Sequence, residues 1–290
     1  MTSNSVDVTV SIVNWNTKDE LRDCLLSVFS QDRSITFEVF VADNASSDGS
    51  AEMIKSEFAG KVNLIENPKN LGFGAAHNMA LGQARGRYMM ILNPDCRMLE
   101  HDVLGKMIKY MDSTPSVGML GPKVLNPDGS LQYSARRSPT MFAAIFRHTL
   151  LGKLFPNNSF VRDYLMADWQ HDRERDVDWL SGSAIVVRKE TIDQIGLLDE
   201  RFFMYLEDVD WCRRAREAGW RVVYFPMAAV SHRIGAASDQ NPIPMIKQHH
   251  KSMLRYFLKY NARNPKVLLT PIAMIALWIR ACSLIRRAKH

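Results

Sequence analysis

Three carboxylates stand within four residues at Glu207-Asp208-Val209-Asp210, after the aromatic run Phe202-Phe203 and before a helical pattern from Trp211 to Ala218 that Gly219 can close. Acids at a helix start complement its positive end, so capping explains one of them well and three poorly. The surplus points to a functional site. Polar residues also collect where strands would end, at Asn14 and Asn16, at Asp43 and Asn44, and at Asn93-Pro94-Asp95. Asn and Asp favour turns, which explains any one of these loops. Three on one edge read together as a ligand site.

The elements that would position them alternate. Val6 to Val13 reads as a first strand, Phe37 to Ala42 as a second, Val62 to Ile65 as a third and Tyr88 to Leu92 as a fourth. Thr17 and Glu20 have capping-box spacing, and Leu21, Leu25 and Val28 share one face of the helix they open. The glycine-rich Asn70-Leu71-Gly72-Phe73-Gly74 run opens the helix before the fourth strand. Such alternation implies an α/β fold, a mostly parallel sheet flanked by helices with ligands at the carboxyl ends of the strands. Asn126-Pro127-Asp128-Gly129 predicts a hairpin between Lys123–Leu125 and Leu131–Ser134 and reads as turn chemistry. Met141 to Phe155 is apolar and helical in pattern, inside an inserted segment, 134–178. Trp179 to Val187 returns to strand, where Gly182 marks either a kink or a close ligand approach. Arg221 to Phe225 is a last strand, ending at Pro226 and delivering His232.

The 290 residues, 46% hydrophobic and 23% charged, suit a folded globular chain. Cys24, Cys96, Cys212 and Cys282 are scattered without CxxC spacing, so neither a disulfide framework nor a zinc cluster is indicated, and a reducing cytoplasm is the simplest home. The polar start lacks the pattern of a signal peptide. Seven bases and no acid lie between Lys259 and His290; without them 30 bases face 31 acids. The net charge of +6 therefore belongs to the tail, and a nucleic-acid partner is disfavoured.

Together the landmarks Val10-Ser11-Ile12-Val13-Asn14-Trp15-Asn16, Val41 to Gly49, Asn70 to Gly74, Leu92 to Asp95 and Glu207 to Cys212 resemble the family 2 inverting glycosyltransferases of the A-type nucleotide-sugar fold, in particular the rhamnosyltransferase-like branch. The resemblance covers residues 8 to about 235. It implies a nucleotide-sugar donor, dTDP-L-rhamnose or a UDP-hexose or UDP-N-acetylhexosamine, and a divalent cation, Mg2+ or Mn2+, that offsets charge on the leaving diphosphate. The family's acidic triplet has here lost its first acid, which leaves the cation to Asp95 with His232 and makes Asn93 a neutral contact. By resemblance, Asp43 meets the nucleobase near Asn14, Asn16 and Asn44, while Gly72, Gly74 and Asn78 face ribose or diphosphate. Asp208 is the implied general base and Glu207 its partner. The acceptor would lie against Trp179, Gly182, Glu207 and Asp210. The implied organisation is a catalytic domain at 1–240, with a nucleotide-sugar half at 1–125 and an acceptor half at 126–240, and a helical extension at 241–290. The departure at Asn93 also motivates a noncatalytic nucleotide-sugar-binding protein, against which the intact Glu207-Asp208 pair argues.

Val267 to Ile279 is apolar on every side; as a helix its 13 residues reach about 20 Å, short of a ~30 Å hydrocarbon core. With Arg286, Arg287 and Lys289 behind it, this tail fits an anionic membrane surface, and so a cytoplasmic protein peripheral on the inner face of the membrane, acting on a lipid-linked saccharide acceptor. A core or homodimer-interface helix is the alternative. The bases at Lys251 and Arg255 fit phosphate contacts and a solvated face equally.

Overall fold

A computed structural model describes residues 6–32, 34–140, 143, 146, 154–155, 157–236, 241–262 and 270–288. Strands β1 (Val8–Asn14), β2 (Phe37–Asp43), β3 (Val62–Glu66) and β4 (Tyr88–Leu92) form a parallel block in the order β3-β2-β1-β4. β1 and β4 are buried on both faces; β4 is apolar throughout, whereas β1 alternates Val8, Val10 and Ile12 with the buried hydroxyls of Thr9 and Ser11. Alternation divides their side chains. Val8, Val10, Ile12, Met90 and Leu92 meet α1 (Lys18–Phe29), α2 (Ser50–Glu57) and, further along the sheet, α4 (Val103–Ser113). Met89 and Ile91 face the opposite core. On α1, Leu21, Leu25 and Val28 are buried, each contributing about 1.5–3 kcal/mol relative to exposure. The capping box is not made: the Thr17 hydroxyl donates to Asn14 Oδ1 (2.7 Å), and Asp48 Oδ2 accepts from the Lys18 N–H (2.8 Å) instead.

Beyond β4 the sheet becomes mixed. α3 (Phe73–Leu81) precedes β4, and β5 (Cys96–Met98) follows it. β6 (Val117–Leu125), β10 (Ala184–Arg188) and β11 (Arg221–His232) complete the order β4-β10-β6-β11-β5, with β10 antiparallel to both neighbours. The 126–129 turn forms, yet its second arm is only a bridge between Leu125 and Leu131. Pro226 does not end its strand; it sits where the β11–β6 register shifts between Phe225 and Ala229, a bulge that tolerates a missing N–H. The expected strand from Trp179 is split into β9 (Trp179–Leu180) and β10, with Ser181-Gly182-Ser183 between them.

The described part of the insert is tied to this frame. β7 (Ala135–Arg136) pairs with β9, β8 (Arg175–Asp176) pairs with β11, and α5 (Ser159–Leu165) buries Tyr164. The helix expected over 141–155 lies almost wholly outside the described residues. α6 (Lys189–Ile195) leads to α7 (Glu207–Glu217), which begins four residues earlier than the apolar pattern suggested and so takes all three acids into its first turn. Gly219, at φ +91°, follows its end as expected. α8 (Pro242–Asn261) packs along α9 (Thr270–Ala288), and among the described residues no helix is long and apolar enough to cross a membrane.

Candidate active site

The loops after β1 and β2 are locked to each other. Asn14 Nδ2 donates to Asp43 Oδ1 (2.8 Å) and Ser46 Oγ (3.0 Å), while Asp43 Oδ2 accepts from the Ser46 N–H (2.9 Å). Asn16, at φ +52°, accepts from the Ser47 N–H through Oδ1 (2.7 Å). Asn14, Asn16, Asp43 and Asn44 are thus brought together, but their side chains hold one another's loops. Asn44 is a clip for the glycine run, donating to the Gly72 carbonyl (3.2 Å) and accepting from Asn67 Nδ2 (3.0 Å). Each Asp43 oxygen accepts one of these bonds, so the carboxylate keeps lone pairs for a further donor.

At the end of β4, Asp95 and His232 meet. Asp95 Oδ1 lies 3.2 Å from His232 Nε2 and has no hydrogen-bond partner despite its burial. Gln132 sets the tautomer: its amide nitrogen donates to Asn126 Oδ1 (2.9 Å) and to the His232 carbonyl (3.2 Å), so its Oε1 accepts from His232 Nδ1 (2.7 Å). The Nε2 lone pair then faces Asp95, with Asn93 Nδ2 donating toward it from 3.2 Å. An orphaned carboxylate oxygen opposite an imidazole lone pair fits a divalent cation bound through oxygen and nitrogen. Cys96 shares this cluster. Burial holds it as a thiol, its pKa well above the ordinary range, and its Sγ donates to the Ser183 carbonyl (3.3 Å), so it offers the cation nothing.

The acid turn is strained and doubly supported. Tyr205 (φ +69°) and Leu206 (φ +70°) are both left-handed, at a cost of about 1–3 kcal/mol each. On one side the Phe73 N–H donates to the Phe203 carbonyl (2.8 Å). Gly72, at φ +87°, has no alternative, because a Cβ there would lie 2.3 Å from that same carbonyl oxygen. On the other side Ser252 Oγ of α8 donates to the Met204 carbonyl (2.8 Å), and the His249 ring meets the Tyr205 ring edge-on at 5.2 Å. The turn delivers Asp208, whose Oδ2 accepts from the Gly182 N–H (2.9 Å) and Oδ1 from its neighbour Val209 (2.8 Å). A Cβ on Gly182 would sit 3.4 Å from the Asp208 Cβ and 3.3 Å from the Phe73 ring, so small size is what this position requires.

Burial raises the pKa of both acids, with unequal effect. Asp208 carries compensation from two backbone N–H groups and from the nearby charge of Arg136. Glu207 is 5% exposed, its Oε2 has no partner, and the Asp208 charge pushes it further, well above the carboxylate range. Of the two, Glu207 is the one that burial and its neighbour's charge push toward the protonated form, while the two N–H groups and Arg136 favour the charge on Asp208. Gly182 and Ser183 link this acid to the Asn93 loop, for the next residue's carbonyl accepts from the Asn93 N–H (2.9 Å). One two-residue step thus joins Asp208 to the Asn93–Asp95 loop.

Other expected residues have different employment. Asp210 has no exposed surface; its carboxylate is taken by Arg214 Nε (2.9 Å), the Tyr260 hydroxyl (2.7 Å) and Lys259 Nζ, so it is closed to an acceptor. Asn78 clips the 198–200 loop, donating to the Leu198 carbonyl (2.9 Å) and accepting from the Leu198 N–H (3.1 Å). Gly74 lets the same loop approach, with Leu198 Cβ 3.4 Å from where its own would be. Trp179 is buried, its Nε1 donating to the Arg137 carbonyl (2.8 Å). Gln132, Ser183 and Lys259 are the participants that local spacing did not mark.

A parallel four-stranded block with polar strand ends, a carboxylate and imidazole beside them and a buried acid turn are features of the A-type glycosyltransferase fold. Two solved structures share it: a mannosyltransferase from Pyrobaculum calidifontis in complex with GDP-Man and Mn2+ (TM-score 0.59, 17% identity, 97% of this chain and 74% of that one) and Staphylococcus aureus TarS with UDP-GlcNAc (0.55, 16%, 96% and 73%). The chain belongs to glycosyl transferase family 2, whose sequence pattern matches residues 9–167. It is 34% identical over 225 residues to the N-acetylglucosaminyl-diphospho-decaprenol L-rhamnosyltransferase of Mycobacterium tuberculosis, covering 74% of this chain and 72% of that protein. To the rhamnosyltransferase WbbL of Escherichia coli it is 26% identical over 262 residues, 87% and 93% of the two chains.

Proposed function

We propose that this enzyme transfers L-rhamnose from dTDP-L-rhamnose, with inversion, to a hydroxyl of a lipid-linked saccharide in cell-surface polysaccharide synthesis. The names of its two rhamnosyltransferase relatives support the sugar, and the diphospho-decaprenol of one supports the acceptor class. The observation that carries the chemistry is the Gly182–Ser183 step, which holds Asp208 next to the Asn93–Asp95 loop. Asp208 takes the proton of the acceptor hydroxyl as that oxygen attacks the anomeric carbon, in a single displacement. Neutral Glu207 orients the acceptor by donating a hydrogen bond. Asp43 reads the nucleobase with the lone pairs its loop leaves over. Asp95 Oδ1 and His232 Nε2 would hold Mg2+ or Mn2+, which when bound neutralises charge on the departing diphosphate.

The protein works at the inner face of the cell membrane, with α9 at the lipid surface: Met274 and Trp278 are exposed one turn apart, and Arg286 lies beyond them. The test is a panel of nucleotide sugars incubated with a lipid-linked acceptor extract and read by mass. Gain of one deoxyhexose from dTDP-rhamnose alone is expected. Transfer of a hexose or N-acetylhexosamine would replace the donor assignment, and donor binding without turnover would return the noncatalytic reading.

A further inference from the structure

Two partly buried guanidinium groups, Arg136 and Arg280, have neither a carboxylate partner nor a hydrogen bond to their buried Nε among the described residues, and both lie toward Tyr164 of the insert. Arg136 in β7 has its Cζ 4.9 Å from the centre of the Trp179 ring and 5.8 Å from that of Tyr164, and its Nε is buried without a hydrogen-bond partner. Arg280 of α9 places Nη1 3.4 Å from Met253 Sδ of α8, and its Nε is likewise buried and unmatched. Tyr256, one turn on from Met253, packs against the apolar cluster that contains both Tyr164 and Trp179, which brings the two arginines to one side of the molecule. The charge of Arg280 also acts on the Tyr164 hydroxyl.

Arg214 and Arg188, by contrast, spend their donors within the protein. Arg214 pairs with Asp210 and with the Leu197 carbonyl, and Arg188 donates to the Val117 and Met111 carbonyls. An arginine keeps its charge at all relevant pH, and removing that charge from water without a counter-ion is costly. Two such groups with unused buried donors therefore describe a site completed by an anion, and the planar fork suits phosphate oxygens. Its place is informative. Arg136 pairs with Trp179 across the β7–β9 ladder, and three residues further Gly182 holds the base, whose pKa the Arg136 charge lowers. The exposed Met274 and Trp278 sit on the same helix as Arg280.

We propose that Arg136 and Arg280 cradle the diphosphate of the lipid-linked acceptor, so that its sugar extends to Asp208. This rests on the acceptor reading above, which it deepens by naming the groups that recognise the diphosphate. The test is titration of farnesyl diphosphate into the full chain with the donor site saturated by thymidine diphosphate. Arg136→Met and Arg280→Met should each raise its Kd at least tenfold, Arg136→Lys less, and Arg286→Met, on an exposed base of the same helix, not at all. Farnesol should bind parent and variants alike. Absence of farnesyl diphosphate binding in the parent, equal Kd across the variants, or a loss at Arg286 matching that at Arg136 overturns the cradle; the last would mean diffuse attraction by the basic tail. A thermal transition recorded for each variant guards against misfolding, and if Arg136→Met does not fold, Arg136→Lys and Arg280→Met decide by the same criteria. If no nucleotide sugar supports transfer while binding still depends on both arginines, the cradle stands and the transfer reading falls. If transfer to a diphosphate-linked acceptor proceeds undiminished in both Met variants, the cradle falls and transfer stands.

Discussion

Lys259→Met is the sharpest perturbation of the scaffold beneath the acid turn. Asp210 is fully buried, and Lys259 joins it to Asp199 from a helix 49 residues further along the chain. Losing the only partner of a buried charge costs about 3–5 kcal/mol. Asp210 would keep Arg214 and the Tyr260 hydroxyl, so about half of that, about 2 kcal/mol, is the expected loss. In a domain of this size each kcal/mol moves Tm by about 2–4 °C, giving a fall of about 4–8 °C. Urea unfolding of the parent, Lys259→Met, Asp210→Asn and the double variant isolates the pair: in the Asp210→Asn background only the more exposed Asp199 contact remains, and the lysine should matter by less than about 1 kcal/mol. Because α7 starts on the strained Leu206, kcat should fall as well, with donor KM unchanged. A Lys259→Met variant within about 0.5 kcal/mol of the parent, the range of ordinary surface changes, would refute the claim that this lysine supports the site.

Asp208→Asn should lower kcat by about 10²–10⁴-fold while dTDP binding, followed by calorimetry, persists. Glu207→Gln, which keeps a neutral donor, should cost less than about tenfold. Since burial raises the Asp208 pKa above the ordinary 3.8, its basic form is lost as pH falls through that raised value, and the acid limb of the kcat profile should lie above the range of an exposed aspartate. Gly72→Ala, forced against the Phe203 carbonyl at positive φ, should cost more than about 1–2 kcal/mol in urea unfolding and reduce turnover with it. Gln132→Leu frees His232 Nδ1 from its acceptor and should weaken Mn2+ binding about 10–100-fold, measured by paramagnetic resonance of the free ion; unchanged affinity would remove Gln132 from the site.

The parallel block was legible because β1 alternates Val8, Val10 and Ile12 and β4 is apolar throughout, and α1 because Leu21, Leu25 and Val28 keep helical spacing. The acids themselves were legible, but not where their helix begins, since Leu206 enters it from a left-handed conformation that no propensity favours. Pro226 looked like a strand end and is a bulge, a distinction made by the register of β6 on the neighbouring strand. Amides posed a harder problem. Asn14, Asn44 and Asn78 have the same chemistry whether they meet a ligand or clip a loop, and apart from Thr17 beside Asn14 their side-chain partners lie 23 to 122 residues away. Gln132 was hidden for the same reason: its histidine is 100 residues on, while the neighbouring Asn-Pro-Asp-Gly advertised only a turn. Nearness in space decides these roles, and local spacing does not encode it.

The tail gives the clearest consequence of that difference. As sequence, 241–290 reads as an appendage for a membrane; in the fold its first helix is a strut, contributing Lys259 and Tyr260 to Asp210 and Ser252 to the turn. The two halves of the tail should therefore behave differently when removed. Deleting 262–290 spares every one of these contacts, so the remaining chain should fold with its donor site intact, while Arg280, Met274 and Trp278 are lost together. Such a protein should bind nucleotide but leave the membrane fraction on flotation. Deleting 241–290 instead strands Asp210 in the core with Arg214 alone and releases the Met204 carbonyl, and it should yield an insoluble or unfolded chain. If the longer deletion were as soluble and as stable as the shorter one, α8 would be dispensable and the strut would be wrong; if the shorter deletion floated with membranes like the parent, α9 would not be the anchor.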